Sequence, residues 1–134
     1  MVTALIVDDE NKNRESLAKL IDQFCYGVKV IGHAENVKSA EEFIKNNQPQ
    51  IVFLDIEMPG GNGFTLLEKY ENPDFQLIFT TAHADYAIKA IKFAALDYLL
   101  KPINVNELKI AVEKAIQNIN SSSNTEDKRF DVLK

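Results

Sequence analysis

Ala4-Leu5-Ile6-Val7-Asp8-Asp9 runs four apolar residues straight into two carboxylates, and Ile51-Val52-Phe53-Leu54-Asp55 repeats the device with one. A short run that is apolar at every position suits a parallel strand covered on both faces, whereas a half-exposed strand would alternate. Leu77-Ile78-Phe79 is a third such run, and Val28 to Ile31 and Tyr98 to Leu100 are weaker strand candidates. Between the runs, apolar residues recur at helical spacing. Leu17, Leu20, Ile21 and Phe24 form one stripe, Val37, Ala40 and Ile44 a second, and Phe64, Leu67 and Tyr70 a third. Ala87, Ala90, Ile91 and Ala94 form a fourth, and Leu108, Val112, Ala115, Ile116 and Ile119 a fifth, opened by Asn104 and Glu107 as a capping pair. The alternation reads (βα)5: an α/β fold with a doubly wound, parallel, five-stranded sheet. A ligand site is expected beyond the carboxyl ends of its strands.

The rest of the composition agrees with one modest domain. The chain has 134 residues, a formal net charge of −5 and a pI near 5.0. An acidic chain without a Lys/Arg run has no electrostatic footprint for nucleic-acid phosphates, so any DNA contact is expected outside this segment. No apolar stretch approaches the length of a membrane span and no basic-then-apolar leader opens the chain, so a cytoplasmic setting without membrane contact is expected. Cys25 has no second cysteine to pair with and sits in an apolar helical stretch, where buried filler is the simplest role. Residues 1–120 are expected to form the domain. Residues 121–134 begin Ser121-Ser122-Ser123-Asn124 and read as a linker or tail.

On this sheet the polar residues at strand ends converge. Asp8 and Asp9 close the first strand, Asp55 the third, Thr81 the fourth and Lys101 the fifth. Three carboxylates at one edge disfavour full ionisation unless a cation joins them, and Mg²⁺ suits such a set because it keeps waters that a phosphate can replace. A carboxylate beside Mg²⁺, with an ammonium and a hydroxyl near, is equipped to attack a phosphoryl group. Taken singly, the same residues have plainer readings: Asp8-Asp9 as a helix cap, Thr81 as a strand-end hydroxyl, Lys101 as a surface charge, Tyr98 as edge packing, His33 and His83 as strand-end and loop residues, and Phe43 and Phe93 as core.

Leu5-Ile6-Val7-Asp8-Asp9-Glu10, Leu54-Asp55-Ile56-Glu57-Met58-Pro59-Gly60, Thr81-Ala82 and Asp97-Tyr98-Leu99-Leu100-Lys101-Pro102 together resemble the receiver domains of two-component response regulators, the CheY-like branch of the flavodoxin-like folds. The likeness covers about residues 3–119. It implies that Asp55 accepts a phosphoryl group from a sensor histidine kinase. It further implies that Asp8, Asp9, Asp55 and the Glu57 backbone carbonyl hold Mg²⁺, that Thr81 and Lys101 contact the new phosphoryl oxygens, and that Tyr98 switches with Thr81. The Lys101-Pro102 peptide is expected to be cis. Glu57 and His83 occupy positions where receivers tune the lifetime of the phosphorylated state.

The stretch from Thr80 through Ala84-Asp85-Tyr86-Ala87 to Leu96-Asp97-Tyr98-Leu99-Leu100-Lys101-Pro102 is most similar to receivers of LytTR-type (LytR/AlgR family) transcription regulators. That narrower likeness implies a DNA-binding domain after the tail, with a stand-alone receiver as the alternative, while the broader receiver resemblance implies a regulatory switch instead of a metabolic enzyme. Phosphorylation is expected to shift the fourth helix, fifth strand and fifth helix, where Tyr86, Lys89, Ala90 and Phe93 with the acids Asp85 and Asp97 make a candidate dimer surface, so homodimerisation on phosphorylation is expected. Gly60-Gly61-Asn62-Gly63 departs from the commoner pattern and is expected to turn with positive φ or remain mobile. Two other classes compete. An aspartyl-phosphate enzyme of the haloacid-dehalogenase kind would present Asp-x-Asp, where this chain has Asp55-Ile56-Glu57; a flavodoxin-like cofactor binder would need a phosphate-cradling loop where Asp8-Asp9-Glu10 stands.

Overall fold

The computed structural model describes residues 1–58, 66, 68, 74–83 and 97–133, with side chains as far as residue 121. Its strands β1 (Val2–Val7), β2 (Val28–Ala34), β3 (Ile51–Asp55), β4 (Gln76–Thr81) and β5 (Asp97–Leu100) pair in parallel in the order β2-β1-β3-β4-β5. The described helices are α1 (Asn11–Phe24), α2 (Val37–Asn47) and α3 (Val105–Leu133). The stripes assigned to residues 64–70 and 87–94, the glycine run 60–63, and Asp85, Tyr86, Lys89, Ala90 and Phe93 lie outside the described residues.

The uninterrupted apolar runs follow from burial on two sides. Leu5, Val7, Val52, Leu54, Leu77 and Phe79 face one layer with Ala40 and Ile44 of α2. Ala4, Ile6, Ile51, Phe53, Ile78 and Leu99 face the other, with Leu17 and Ile21 of α1 and Leu108, Ala111, Val112 and Ala115 of α3. Each fully buried aliphatic or aromatic side chain contributes about 1.5–3 kcal/mol, so both layers together hold the sheet rigid. Leu66 is also fully buried in the first layer.

Two sequence expectations need correction. Phe24 does not complete the α1 stripe: it is 41% exposed, and Cys25 at the helix end turns into the core in its place. β2 continues beyond Ile31 to Ala34, through an irregularity that pairs Ala4 with Val30 but Leu5 with Gly32. Gly32 sits under the Phe43 ring, where an added Cβ would come within 2.3 Å of the ring. The helix α3 runs on to Leu133, so the stretch read as a linker or tail after residue 120 is helical through that residue. Ser121-Ser122-Ser123-Asn124 contains neither Gly nor Pro, and serine costs a helix only a few tenths of a kcal/mol per residue, about 0.5 at most. Nothing in that stretch breaks the ladder. The start of α3 is as expected, with Asn104 Oδ1 accepting the Glu107 backbone N–H at 3.1 Å.

Candidate functional site

Register brings the site together. Val7 pairs with Leu54, so Asp8 and Asp55, each one residue further on, emerge side by side at the carboxyl edge. Thr81 pairs with Leu100, and the Lys101 N–H donates to the Thr81 carbonyl at 2.8 Å, so Lys101 enters from the other side. Asp8 and Asp55 are 4% and 5% exposed and Thr81 is fully buried. Asp9 is exposed.

Lys101 Nζ donates to Asp8 Oδ2 at 2.8 Å and to Asp55 Oδ2 at 3.3 Å. The other carboxylate oxygens are held by the chain itself: Asp8 Oδ1 accepts the Glu10 N–H at 2.9 Å, and Asp55 Oδ1 accepts the Glu57 N–H at 3.1 Å. Among the described residues no buried side-chain polar atom lacks a partner. Burial nevertheless outweighs these contacts at Asp55. Desolvation, opposed by the Lys101 charge and reinforced by that of Asp8, lifts its pKa from 3.8 to about 6. At Lys101 burial alone would lower the pKa; the hydrogen bond to Asp8 and the charges of Asp55 and Asp8 win, and the net direction is up.

Asp8, Asp9 and Asp55 each offer a carboxylate oxygen, and these oxygens lie within 4.8 Å of one another. An all-oxygen, anionic set of this kind suits a small hard dication, and each oxygen already hydrogen-bonded retains a second lone pair for a metal. The residues fit the group. Thr81 Oγ1 accepts the His83 N–H at 3.0 Å and donates to the His83 carbonyl at 3.4 Å. The His83 Nε2 and Glu57 Oε2 atoms stand 3.2 Å apart across the mouth of the site. Tyr98 registers with Phe79 and is 40% exposed, and Lys101-Pro102 is a cis peptide. His33, near the carboxyl end of β2, is not among the residues of this cluster; burial and the Arg14 charge lower its pKa. Sequence reasoning missed Arg14, whose guanidinium Nη1 donates to the Asp8 main-chain carbonyl.

The sequence model of the family described as response regulator receiver domain matches residues 4–113. The chain belongs to that family. It is 38% identical over 117 residues to the sensory transduction protein LytT of Bacillus anthracis, covering 85% of this chain and 47% of that protein. It is 42% identical over 110 residues to an uncharacterised response regulatory protein of Shewanella oneidensis, covering 81% and 46%. Among solved structures, the receiver domain of AraT, a response regulator from Geobacillus stearothermophilus, superposes with a TM-score of 0.81 at 30% identity, covering 92% of this chain and 99% of that one. The chain therefore spans about half the length of the full-length relatives it matches. Among the described residues no helix is long and apolar enough to cross a membrane.

Proposed function

We propose that this receiver domain is a phosphorylation switch whose acceptor is Asp55, charged by a sensor histidine kinase. The observation that carries the proposal is the cluster of Asp8, Asp9 and Asp55 oxygens within 4.8 Å of one another, bridged at its buried pair by Lys101. Asp8, Asp9, Asp55 and the Glu57 carbonyl would hold Mg²⁺, which when bound supplies positive charge to the oxygens of the transferring group.

The chain's own residues do the rest. An Asp55 carboxylate oxygen forms the new O–P bond as the P–N bond to the donor imidazole breaks, and the departing nitrogen keeps the electron pair. Lys101, 3.3 Å from Asp55 Oδ2, needs only a small shift to pair with a phosphoryl oxygen. Thr81 must give up its donation to the His83 carbonyl, a long and weak bond at 3.4 Å, to donate to the phosphate instead. That exchange links phosphate to the segment after β4, and Tyr98 on β5 changes rotamer with it. Glu57 and His83, at the mouth, tune how quickly water reaches the acyl phosphate, so the domain assists both its own phosphorylation and its own dephosphorylation.

The output is homodimerisation through the face formed by the segment preceding β5, β5 itself and the start of α3. Residues 1–120 are the receiver and 121–134 its connection to a DNA-binding domain of LytTR type, in the cytoplasm. The half-length coverage of the LytT relative supports a regulator that continues past this segment.

The test is incubation with Mg²⁺ and acetyl phosphate, read by intact mass and gel filtration. One phosphate adduct that requires both Mg²⁺ and Asp55, lost in Asp55→Ala, is expected, with earlier elution of the adduct. An adduct that persists in Asp55→Ala overturns the assignment.

A further inference from the structure

Four groups of Asp8 are engaged at once. Its N–H donates to the Ala34 carbonyl at 3.0 Å, its Oδ1 accepts from Glu10, its Oδ2 accepts from Lys101, and its carbonyl accepts from the Arg14 guanidinium. That carbonyl belongs to the peptide joining Asp8 to Asp9. Its orientation sets ψ of Asp8 and φ of Asp9, and so the direction in which the exposed Asp9 carboxylate leaves the chain. Arg14 is itself braced: its Nη2 donates to Asn11 Oδ1 at 3.2 Å and its backbone N–H to the Glu10 carbonyl at 3.2 Å.

We infer that Arg14 is a positioning residue for the metal site, holding the Asp8-Asp9 peptide so that Asp9 is presented to a divalent cation. The inference rests on the metal reading above and adds a residue that touches none of the three carboxylates' oxygens in the hydrogen bonds described. Charge and geometry make opposite demands here, which allows a clean decision. A guanidinium beside an acidic cluster repels a cation, so its removal on electrostatic grounds alone strengthens Mg²⁺ binding. Loss of the peptide's brace does the reverse, because residues supporting a metal's ligands typically carry about 10-fold or more in affinity.

The experiment measures Mg²⁺ affinity by calorimetric titration of wild type, Arg14→Met, Arg14→Lys and Asp9→Ala, with urea unfolding of each. Arg14→Met keeps the aliphatic stem and removes the donors; it is expected to bind about 10-fold more weakly. Arg14→Lys restores one donor and is expected to recover most of the loss. Unchanged or tighter binding by Arg14→Met, with or without lower stability, overturns the inference by reducing Arg14 to helix packing or a bystander charge. Should Arg14→Met fail to fold, Arg14→Lys decides: binding weaker than wild type, up to the loss in Asp9→Ala, supports the inference, and binding as tight as wild type or tighter overturns it. Wild type that binds no Mg²⁺ overturns the metal reading and this assignment with it, and is told apart because all four proteins then behave alike.

Discussion

His83 Nε2 stands 3.2 Å from Glu57 Oε2, so the loop after β4 and the loop after β3 meet through two side chains that are themselves about half exposed, at 56% and 48%. An exposed pair of this kind contributes at most about 1 kcal/mol to stability. Its place next to Asp55, whose Oδ1 accepts the Glu57 N–H, gives it a different weight if Asp55 is the acceptor proposed above. Glu57→Ala and His83→Ala are each expected to change the decay rate of the phosphorylated protein while leaving unfolding nearly untouched. The double variant should deviate from the product of the two single effects, because the residues touch. Time courses of the intact-mass adduct supply the check, and unchanged decay in both single variants removes the pair from control of lifetime.

Asp55 makes metal-free stability depend on pH in a defined sense. Its folded pKa, about 6, lies above the ordinary 3.8, so the folded protein binds this proton more tightly than the unfolded chain. This contribution is fully present below the ordinary value, declines as pH rises through the interval, and is gone above the folded value. Asp55→Asn removes the buried charge and is expected to stabilise the metal-free protein near neutral pH by about 2 kcal/mol, the gain vanishing in acid. Urea unfolding in the presence of a chelator across this range is the measurement. Mg²⁺ affinity should weaken in step as pH falls through about 6.

Lys101 holds two buried carboxylates apart from each other's charge. Lys101→Met leaves Asp8 and Asp55 facing one another without a counter-ion, and a loss of about 2–4 kcal/mol near neutral pH is expected. Adding Asp55→Asn to Lys101→Met should restore a large part of it. Full additivity of the two changes would contradict the ion-pair geometry.

Gly32→Ala should cost about 1–3 kcal/mol, because the new methyl meets the Phe43 ring and the ring must move. Phe43→Leu in the same chain should relieve the clash, leaving the double variant less than additive by thermal unfolding. An innocuous Gly32→Ala would mean that the ring has another place to go.

How far the sequence discloses this molecule depends on what each residue's partner is. Val7, Leu54 and Phe79 announce strands because covering on both faces demands apolar residues at every position. Asp55 is conspicuous for ending such a run with a charge. Arg14 is silent because its partner at Asp8 is a main-chain carbonyl, which leaves no trace in residue types, and an arginine on the first turns of a helix is otherwise ordinary. The reciprocal cap of α2, in which Asn36 and Ser39 exchange side-chain bonds, also escapes notice because Ser stands where Glu or Gln usually does. The full length of β2 is masked by Gly32, and the reach of α3 by a serine run whose composition suggests a linker although nothing in it stops a helix.

The bond from Lys101 to Asp8 spans 93 positions of chain, and that to Asp55 spans 46. Contacts so distant along the polypeptide form late, after the intervening loops have closed. A growing chain therefore carries its acids through synthesis without their counter-ion, since the ammonium arrives only with β5. Until that last strand docks, the two aspartates repel each other, and β1 and β3 are held against that repulsion by their ladder and their apolar faces. Completion of the site thus doubles as a timestamp on the fold: the first molecule with Asp55 properly paired is also one whose sheet is finished.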